Sequence, residues 1–320
     1  MVMHIERINI HNTIKNQERI VACIGFFDGL HLGHQELIKK TVELANQYEL
    51  IPALITFDPD PWVVIKMVND IPHITPMNKR IEVAKQYGIK KWIILEFDKD
   101  MCKLDVDAFH DLILNPLNIH TLVCGYDFHY GNKGKGNIDT LKAQDDFKVE
   151  VIKQISSEDE KISSTRIEKC LLSGDVETCF KLLGRYYEID GVVVHGNELG
   201  RLYGFPTANL KLNDNYIIPL QGVYIASVKV KNKWYPAIIN IGHNPSFNYQ
   251  QNTSIEAYII NFDQMIYGEQ VTYRFHQFLR KEQKFNGMDE LKAELQRNTL
   301  SALAYFDIRK ELLENEIKSI

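Results

Sequence analysis

The sequence predicts two domains in series: an α/β domain built on a parallel sheet, then an antiparallel β-barrel that carries terminal helices. Three observations predict this. In the first half, short apolar runs alternate with stretches of helical periodicity, the mark of βαβ units. After about Gly184, apolar runs follow one another with only turn residues between them. The last stretch returns to helical spacing, and 320 residues leave each half enough chain to bury its own core.

Taken in order, Ile20 to Ile24 is an apolar run that stops at Gly25, after which Leu37, Ile38, Val42 and Ala45 share a helical face. Ile51 to Phe57 reads as a strand halted by Asp58-Pro59, Lys79 to Tyr87 as a helix and Trp92 to Leu95 as a strand. Val106 to Leu114 reads as a helix, and Thr121 to Cys124 and Phe147 to Ile152 as the fourth and fifth strands. A sheet of this kind binds ligands beyond the carboxyl ends of its strands. In the second half, Tyr186 to His195, Val223 to Val230, Trp234 to Ile241, Ser254 to Asn261 and Gln270 to Leu279 read as strands. Near the end Leu291 and Leu295 share a helical face, as do Tyr305, Ile308 and Leu312. The boundary is expected between Leu183 and Tyr187, giving domains of residues 1–184 and 185–320.

A net charge of −5 gives no general attraction to nucleic acid or to an anionic membrane, and leaves room only for a local basic pocket. The five cysteines are odd in number and none has CxxC spacing, which argues against a disulfide framework or a zinc site. No apolar run reaches the ~18 residues of a membrane span. Met1 to Asn12 lacks the apolar core of a signal peptide. The expectation is a cytoplasmic protein with no membrane and no nucleic acid among its partners. Neither GxxxxGK[ST] nor GxGxxG occurs, so P-loop and ordinary dinucleotide-binding chemistry have no support.

The most informative segment is Gly25-Phe26-Phe27-Asp28-Gly29-Leu30-His31-Leu32-Gly33-His34-Gln35, which leaves the first strand and opens the first helix. Its glycines permit a tight turn, and a helix N-terminus suits phosphate. His31 and His34, three apart, face the same way on a helix and would offer two donors to a triphosphate. The alternative is a plain turn with two surface histidines. The segment resembles the HxGH signature of the nucleotidyltransferase superfamily, and the longer string GFFDGLHLGHQ its flavin adenylyltransferase branch. Thr56-Phe57-Asp58-Pro59-Asp60-Pro61, Cys124-Gly125-Tyr126-Asp127-Phe128-His129-Tyr130-Gly131 and Ile162-Ser163-Ser164-Thr165-Arg166-Ile167 agree with that branch. The resemblance implies a Rossmann-like nucleotidyltransferase domain. In it Gly25, Phe26, Phe27, Asp28, Gly29, Asp58, Asp127, Ser164 and Thr165 bind substrate, while His31, His34 and Arg166 act on the reacting phosphates. Thr165 and Glu168 also fit a capping box at a helix start. Gly131 to Asn137, with Lys133 and Lys135, reads either as a solvated loop or as a mobile positive flap.

In the second half, Gly200-Arg201-Leu202-Tyr203-Gly204-Phe205-Pro206-Thr207-Ala208-Asn209-Leu210 stands out. In an extended chain Thr207 and Asn209 point to one side, where their oxygens could hold magnesium; the alternative is a turn and an edge strand. The string resembles the riboflavin kinase signature. Gly222-Val223-Tyr224, Asn240-Ile241-Gly242-His243-Asn244-Pro245-Ser246-Phe247 and Ile255-Glu256-Ala257-Tyr258 follow in family order. The resemblance implies that Glu256 is a general base, that Gly204, Thr207 and Asn209 bind substrate, and that Thr207 and Asn209 ligate Mg2+. It covers nearly the whole chain and implies a bifunctional enzyme of FAD biosynthesis. ATP is its co-substrate, and riboflavin, FMN and FAD its flavins. Weak self-association is left open. Separate assays would distinguish two further readings, a protein with one silent half and a flavin- or nucleotide-binding regulator without turnover.

Overall fold

The computed structural model describes residues 3–12, 18–196, 205–243 and 253–318. The chain forms two compact units, Met1–Ser164 and Thr165–Ile320.

The first unit is a six-stranded parallel sheet flanked by helices. Its strands are β1 (His4–Ile8), β2 (Ile20–Ile24), β3 (Ile51–Asp58), β4 (Lys91–Glu96), β5 (Ile119–Gly125) and β6 (Lys148–Ile152), in the spatial order β1-β4-β3-β2-β5-β6. Five of these strands follow the apolar runs. β1 escapes them because it is an edge strand beside β4 and its sequence HIERI exposes His4, Ile5 and Arg7 and buries only Ile8. On β2, Ile20, Ala22 and Ile24 face one core layer while Val21 and Cys23 face the other. Burial on both sides is why the central strands read as continuous apolar runs.

The helices of this unit are α1 (Leu32–Gln47), α2 (Pro61–Lys66), α3 (Met77–Gln86), α4 (Val106–Phe109, running on into a π-helical turn at His110–Leu114) and α5 (Ile138–Lys142). The Gly131 to Asn137 segment is pinned. Tyr130 and Gly136 exchange both backbone hydrogen bonds, Asn132 donates to Leu104 and Cys102 carbonyls, and Asn137 caps α5. A Cβ at Gly136 would lie 2.6 Å from the Tyr130 ring, so a side chain there is excluded. A small hairpin, β7 (Ser156–Ser157) with β8 (Glu160–Lys161), leads into α6 (Ser164–Ser173), which spans the division between the units. α6 begins at Ser164, so Thr165 lies inside its first turn. Thr165 is therefore not the N-cap that the expected capping box with Glu168 requires.

The second unit is a closed barrel. Its strands are β9 (Tyr187–Val194), β10 (Thr207–Leu212), β11 (Gly222–Val230), β12 (Lys233–His243), β13 (Thr253–Ile259) and β14 (Gln270–Arg280), ordered β10-β13-β12-β11-β14-β9 with antiparallel neighbours throughout. Closure removes the exposed edges that an open antiparallel sheet would present. β9 alternates buried and half-buried residues along its length, and β11 is buried on nearly every residue. The reason lies outside the barrel. α7 (Val176–Leu183) packs on β9 and β14, and a single long helix, α8 (Met288–Lys318), packs on β11 and β12. Val223, Ile225, Ile238, Ile260 and Ala302 form the core beneath α8.

Candidate functional sites

The strand order of the first unit contains a switch point. The chain leaves β2 toward β3 on one side, whereas its other neighbour, β5, continues to β6 on the opposite side. The loops diverge there and open a crevice beyond the carboxyl ends of the strands. A cavity of about 430 Å³ occupies it. Its walls come from the ends of β2, β3, β5 and β6 and from the segment before α6. They include Gly25, Phe26, Phe27, His31, His34, Pro61, Tyr126, Asp127, Lys161 and Ser164.

The turn after β2 is held in an uncommon backbone conformation. Phe27, Gly29 and Leu30 have φ of 60°, 82° and 42°. Phe27 and Leu30 are buried, so their side chains anchor a turn that non-glycine residues rarely adopt. His31 is the N-cap of α1, with extended backbone, and its Nδ1 accepts the His34 N–H at 3.3 Å. That bond assigns the neutral His31 proton to Nε2. The two imidazoles stack with centroids 3.7 Å apart and planes at 13°, and Phe27 meets His34 edge-on at 5.1 Å. The pair thus comes together by capping and stacking, with only His34 inside the helix. Gly33 explains the spacing, since a Cβ there would lie 3.1 Å from His31 Cε1.

Asp28, Gly29 and Asp58 are not among the cavity's lining residues. The Asp28 carboxylate accepts the N–H groups of Ile74 and Thr75 at 3.1 and 2.9 Å, and its carbonyl accepts Ser164 Oγ–H at 2.9 Å. Asp58 takes a 2.7 Å ion pair from Arg7. Asp127 lines the wall and pairs with Lys161 at 2.5 Å. That bond raises the Lys161 ammonium's pKa. Tyr126 donates to Gln154 at 2.9 Å, and the Lys161 ammonium lies 5.2 Å from the centre of its ring. Thr165 and Arg166 follow Ser164 in the first turn of α6. The Gly131 to Asn137 loop contributes nothing to the wall.

Sequence reading missed Lys161, whose one signal was its place two residues before Ser163. It also missed Arg80, which read as one cation on an ordinary helix. Arg80 is 1% exposed. Burial lowers its pKa, and the charges of Asp28, Asp60 and Asp58 oppose that shift. Asp60 is buried too and caps α2 by accepting the Trp62 N–H at 2.7 Å; burial raises its carboxyl pKa.

The second unit brings Thr207, Asn209 and Glu256 together. β10 and β13 pair so that Asn209 faces Glu256, and Thr207 Oγ1 donates to Glu256 Oε2 at 3.1 Å. Directly paired residues share a face of the sheet. On its other side Glu256 pairs with Asn240 of β12, making a row Asn209–Glu256–Asn240 across three strands. The motif Asn240 to Phe247 gives Asn240 no role by itself, because cross-strand register is invisible in one sequence. From inside the barrel, buried Tyr273 donates to the Ala208 carbonyl at 2.6 Å and fixes β10 between the two polar residues. A Cβ at Gly196 would lie 2.2 Å from Asn209 Nδ2, so a side chain there would displace the Asn209 amide. A cavity of about 790 Å³ opens beside Thr207, walled by Pro206, Tyr258, Phe262, Met265, Ile266 and Tyr267 among others. Gly204 lies outside the described residues.

Among the described residues no group of three or more His, Cys, Asp or Glu side chains could hold a metal ion. The hydroxyl of Thr207, the amide of Asn209 and the adjoining carboxylate are all oxygen donors, a set that suits a hard cation sharing its shell with phosphate.

Known proteins carry the same two halves. A family model described as FAD synthetase matches residues 13–166, and one described as riboflavin kinase matches residues 183–306. The bifunctional riboflavin kinase/FMN adenylyltransferase of Listeria monocytogenes serovar 1/2a is 36% identical over 306 residues, 93% of this chain and 98% of its own. That of Bacillus subtilis strain 168 is 36% identical over 309 residues, 94% and 97% of the two chains. A crystal structure from Streptococcus pneumoniae, described as a macrolide-efflux protein, superposes with a TM-score of 0.86 at 31% identity, over 92% of this chain and 98% of that one. The described residues here include no helix long and apolar enough to cross a membrane. With both halves matched in order, and relatives this similar along nearly their whole length, the chain belongs to the family of bifunctional riboflavin kinase/FMN adenylyltransferases.

Proposed function

We propose that the chain makes FAD from riboflavin in two ATP-consuming steps, in the cytoplasm. The kinase domain, residues 185–320, transfers the γ-phosphoryl group of ATP to the riboflavin 5′-oxygen, giving FMN and ADP. The adenylyltransferase domain, residues 1–184, lets the FMN phosphate attack the α-phosphorus of a second ATP, giving FAD and pyrophosphate. The observation that carries the second step is the stacked His31–His34 pair at the start of α1, on the wall of a switch-point cavity. Imidazole N–H groups and the helix N-terminus stabilise charge as pyrophosphate leaves. Lys161, Ser164, Thr165 and Arg166 add donors and positive charge to the same phosphates.

In the kinase step Glu256 accepts the proton of the attacking hydroxyl, and Thr207 orients that carboxylate. Thr207 and Asn209 would hold Mg2+. When bound, the ion offsets phosphate charge on ATP. The aromatic and aliphatic wall beside Thr207 takes a planar ring of one substrate.

Chromatography of products from riboflavin and MgATP tests the whole reading. His31→Ala is expected to lower FAD formation by roughly a hundredfold or more and to leave FMN formation intact. Glu256→Gln is expected to lower FMN formation by about a hundredfold or more while FMN supplied directly still becomes FAD. A wild-type protein that forms neither product would overturn the proposal.

A further inference from the structure

The Phe26 carbonyl, at the start of the turn after β2, is gripped from two sides. Arg80 Nη1–H donates to it at 2.7 Å, and Thr56 Oγ1–H at 3.0 Å. Both donors are buried. The Arg80 guanidinium also lies 4.5 Å from the centre of the Phe26 ring and donates through Nε to the Thr75 carbonyl at 3.0 Å. Thr75 in turn donates its N–H to Asp28, whose carboxylate stands 4.0 Å from Arg80. One buried cation therefore ties Phe26, which lines the cavity, to Asp28 and to the segment before α3.

A solvated cation would be the ordinary outcome for an arginine on a short surface helix. Burying one costs several kcal/mol unless partners satisfy it. The partners here are two backbone carbonyls, an aromatic face and the Asp28 carboxylate, all belonging to the strained turn or to the segment that braces it. A trans peptide is planar, so fixing the Phe26 carbonyl also fixes the direction of the Phe27 N–H. Phe27 is left-handed and precedes the turn that delivers His31.

We infer that Arg80 is a positioning residue for adenylyl transfer: with Thr56 it locks the Phe26–Phe27 peptide and so sets the stacked His31–His34 pair against the reacting phosphates. Arg80 touches no substrate and acts only through the turn. The inference rests on the adenylyltransferase reading of this cavity.

The test uses the full-length protein, with FMN and MgATP supplied directly. Arg80→Met removes both carbonyl contacts, Thr56→Val removes only the second donor, and Arg80→Lys restores a donor without the planar fork. Arg80→Met is expected to lower kcat for FAD formation by roughly a hundredfold, as small displacements of catalytic groups do, with a smaller change in KM. Thr56→Val lowers kcat less, and Arg80→Lys recovers part of the loss. Rates are taken per folded molecule, from thermal unfolding followed by circular dichroism. The inference is overturned if Arg80→Met is folded at the assay temperature and keeps the wild-type kcat. Should Arg80→Met be unfolded, a folded Thr56→Val with the wild-type kcat overturns it equally, and one with reduced kcat supports it. Absence of FAD formation by the wild type would instead sink the underlying functional reading.

Discussion

Lys161 brings a positive charge to the adenylyltransferase cavity, and its bond to Asp127 holds the ammonium protonated across the neutral range. A phosphate entering the cavity competes with Asp127 for that charge. Lys161→Ala is therefore expected to raise KM for ATP or FMN by about tenfold, with kcat changing less. Steady-state kinetics on the FMN-to-FAD step checks this. A reduced kcat at unchanged KM would contradict it. Residues of this kind divide by how far their role depends on neighbours distant in sequence. His31, His34 and Thr207 stood out because residue type and local spacing already implied chemistry, and Glu256 because the family resemblance implied its role. Arg80 and Asn240 did not, because their roles come from a carbonyl 54 residues away and from a cross-strand register. Asp28, in the most legible motif of all, supports the turn and does not line the cavity, because its carboxylate caps the backbone of Ile74 and Thr75.

At the level of elements, the start of α1 separates helix stability from catalysis. Alanine is a better helix former than glycine by about 1 kcal/mol, so Gly33→Ala alone would favour the helix. The added Cβ would press on the His31 ring, 3.1 Å from Cε1 and 3.2 Å from Nδ1. Gly33→Ala is expected to leave thermal stability unchanged or raised while lowering FAD formation by at least about tenfold. Unaltered FAD formation would show that the ring has room to move. The central strands were legible because both faces are buried and their sequences are apolar throughout. β1 was not legible, because an edge strand with one wet face offers no continuous run. The expected terminal helices are one helix of 31 residues, since no helix breaker interrupts Met288 to Lys318.

The whole molecule sets the response to acid. His276, inside the layer between the barrel and α8, shares a 2.9 Å bond with Ser227 and is ringed by Tyr186, Tyr305 and Phe306. Burial pushes its pKa down from 6.5 to about 3, and nearby Arg274 adds to the shift. Between those values the unfolded chain binds a proton that the folded chain refuses, so stability falls as pH drops below 6.5. The slope is about 1.4 kcal/mol per pH unit from this residue. In His276→Gln the slope of stability against pH is expected to flatten between about pH 6 and pH 4, measured by denaturant unfolding. An unchanged slope would mean that His276 protonates in the folded barrel. The sequence by itself determined the order of the two domains, the secondary structure of their cores and the two strings that carry chemistry, because periodicity and motif spacing are local properties of a chain. Tertiary structure alone decided the stacking of the histidines, the burial of Arg80 beneath Phe26 and the row Asn209–Glu256–Asn240. Each of these depends on strand register and turn geometry, which arise only when segments far apart in sequence are packed together.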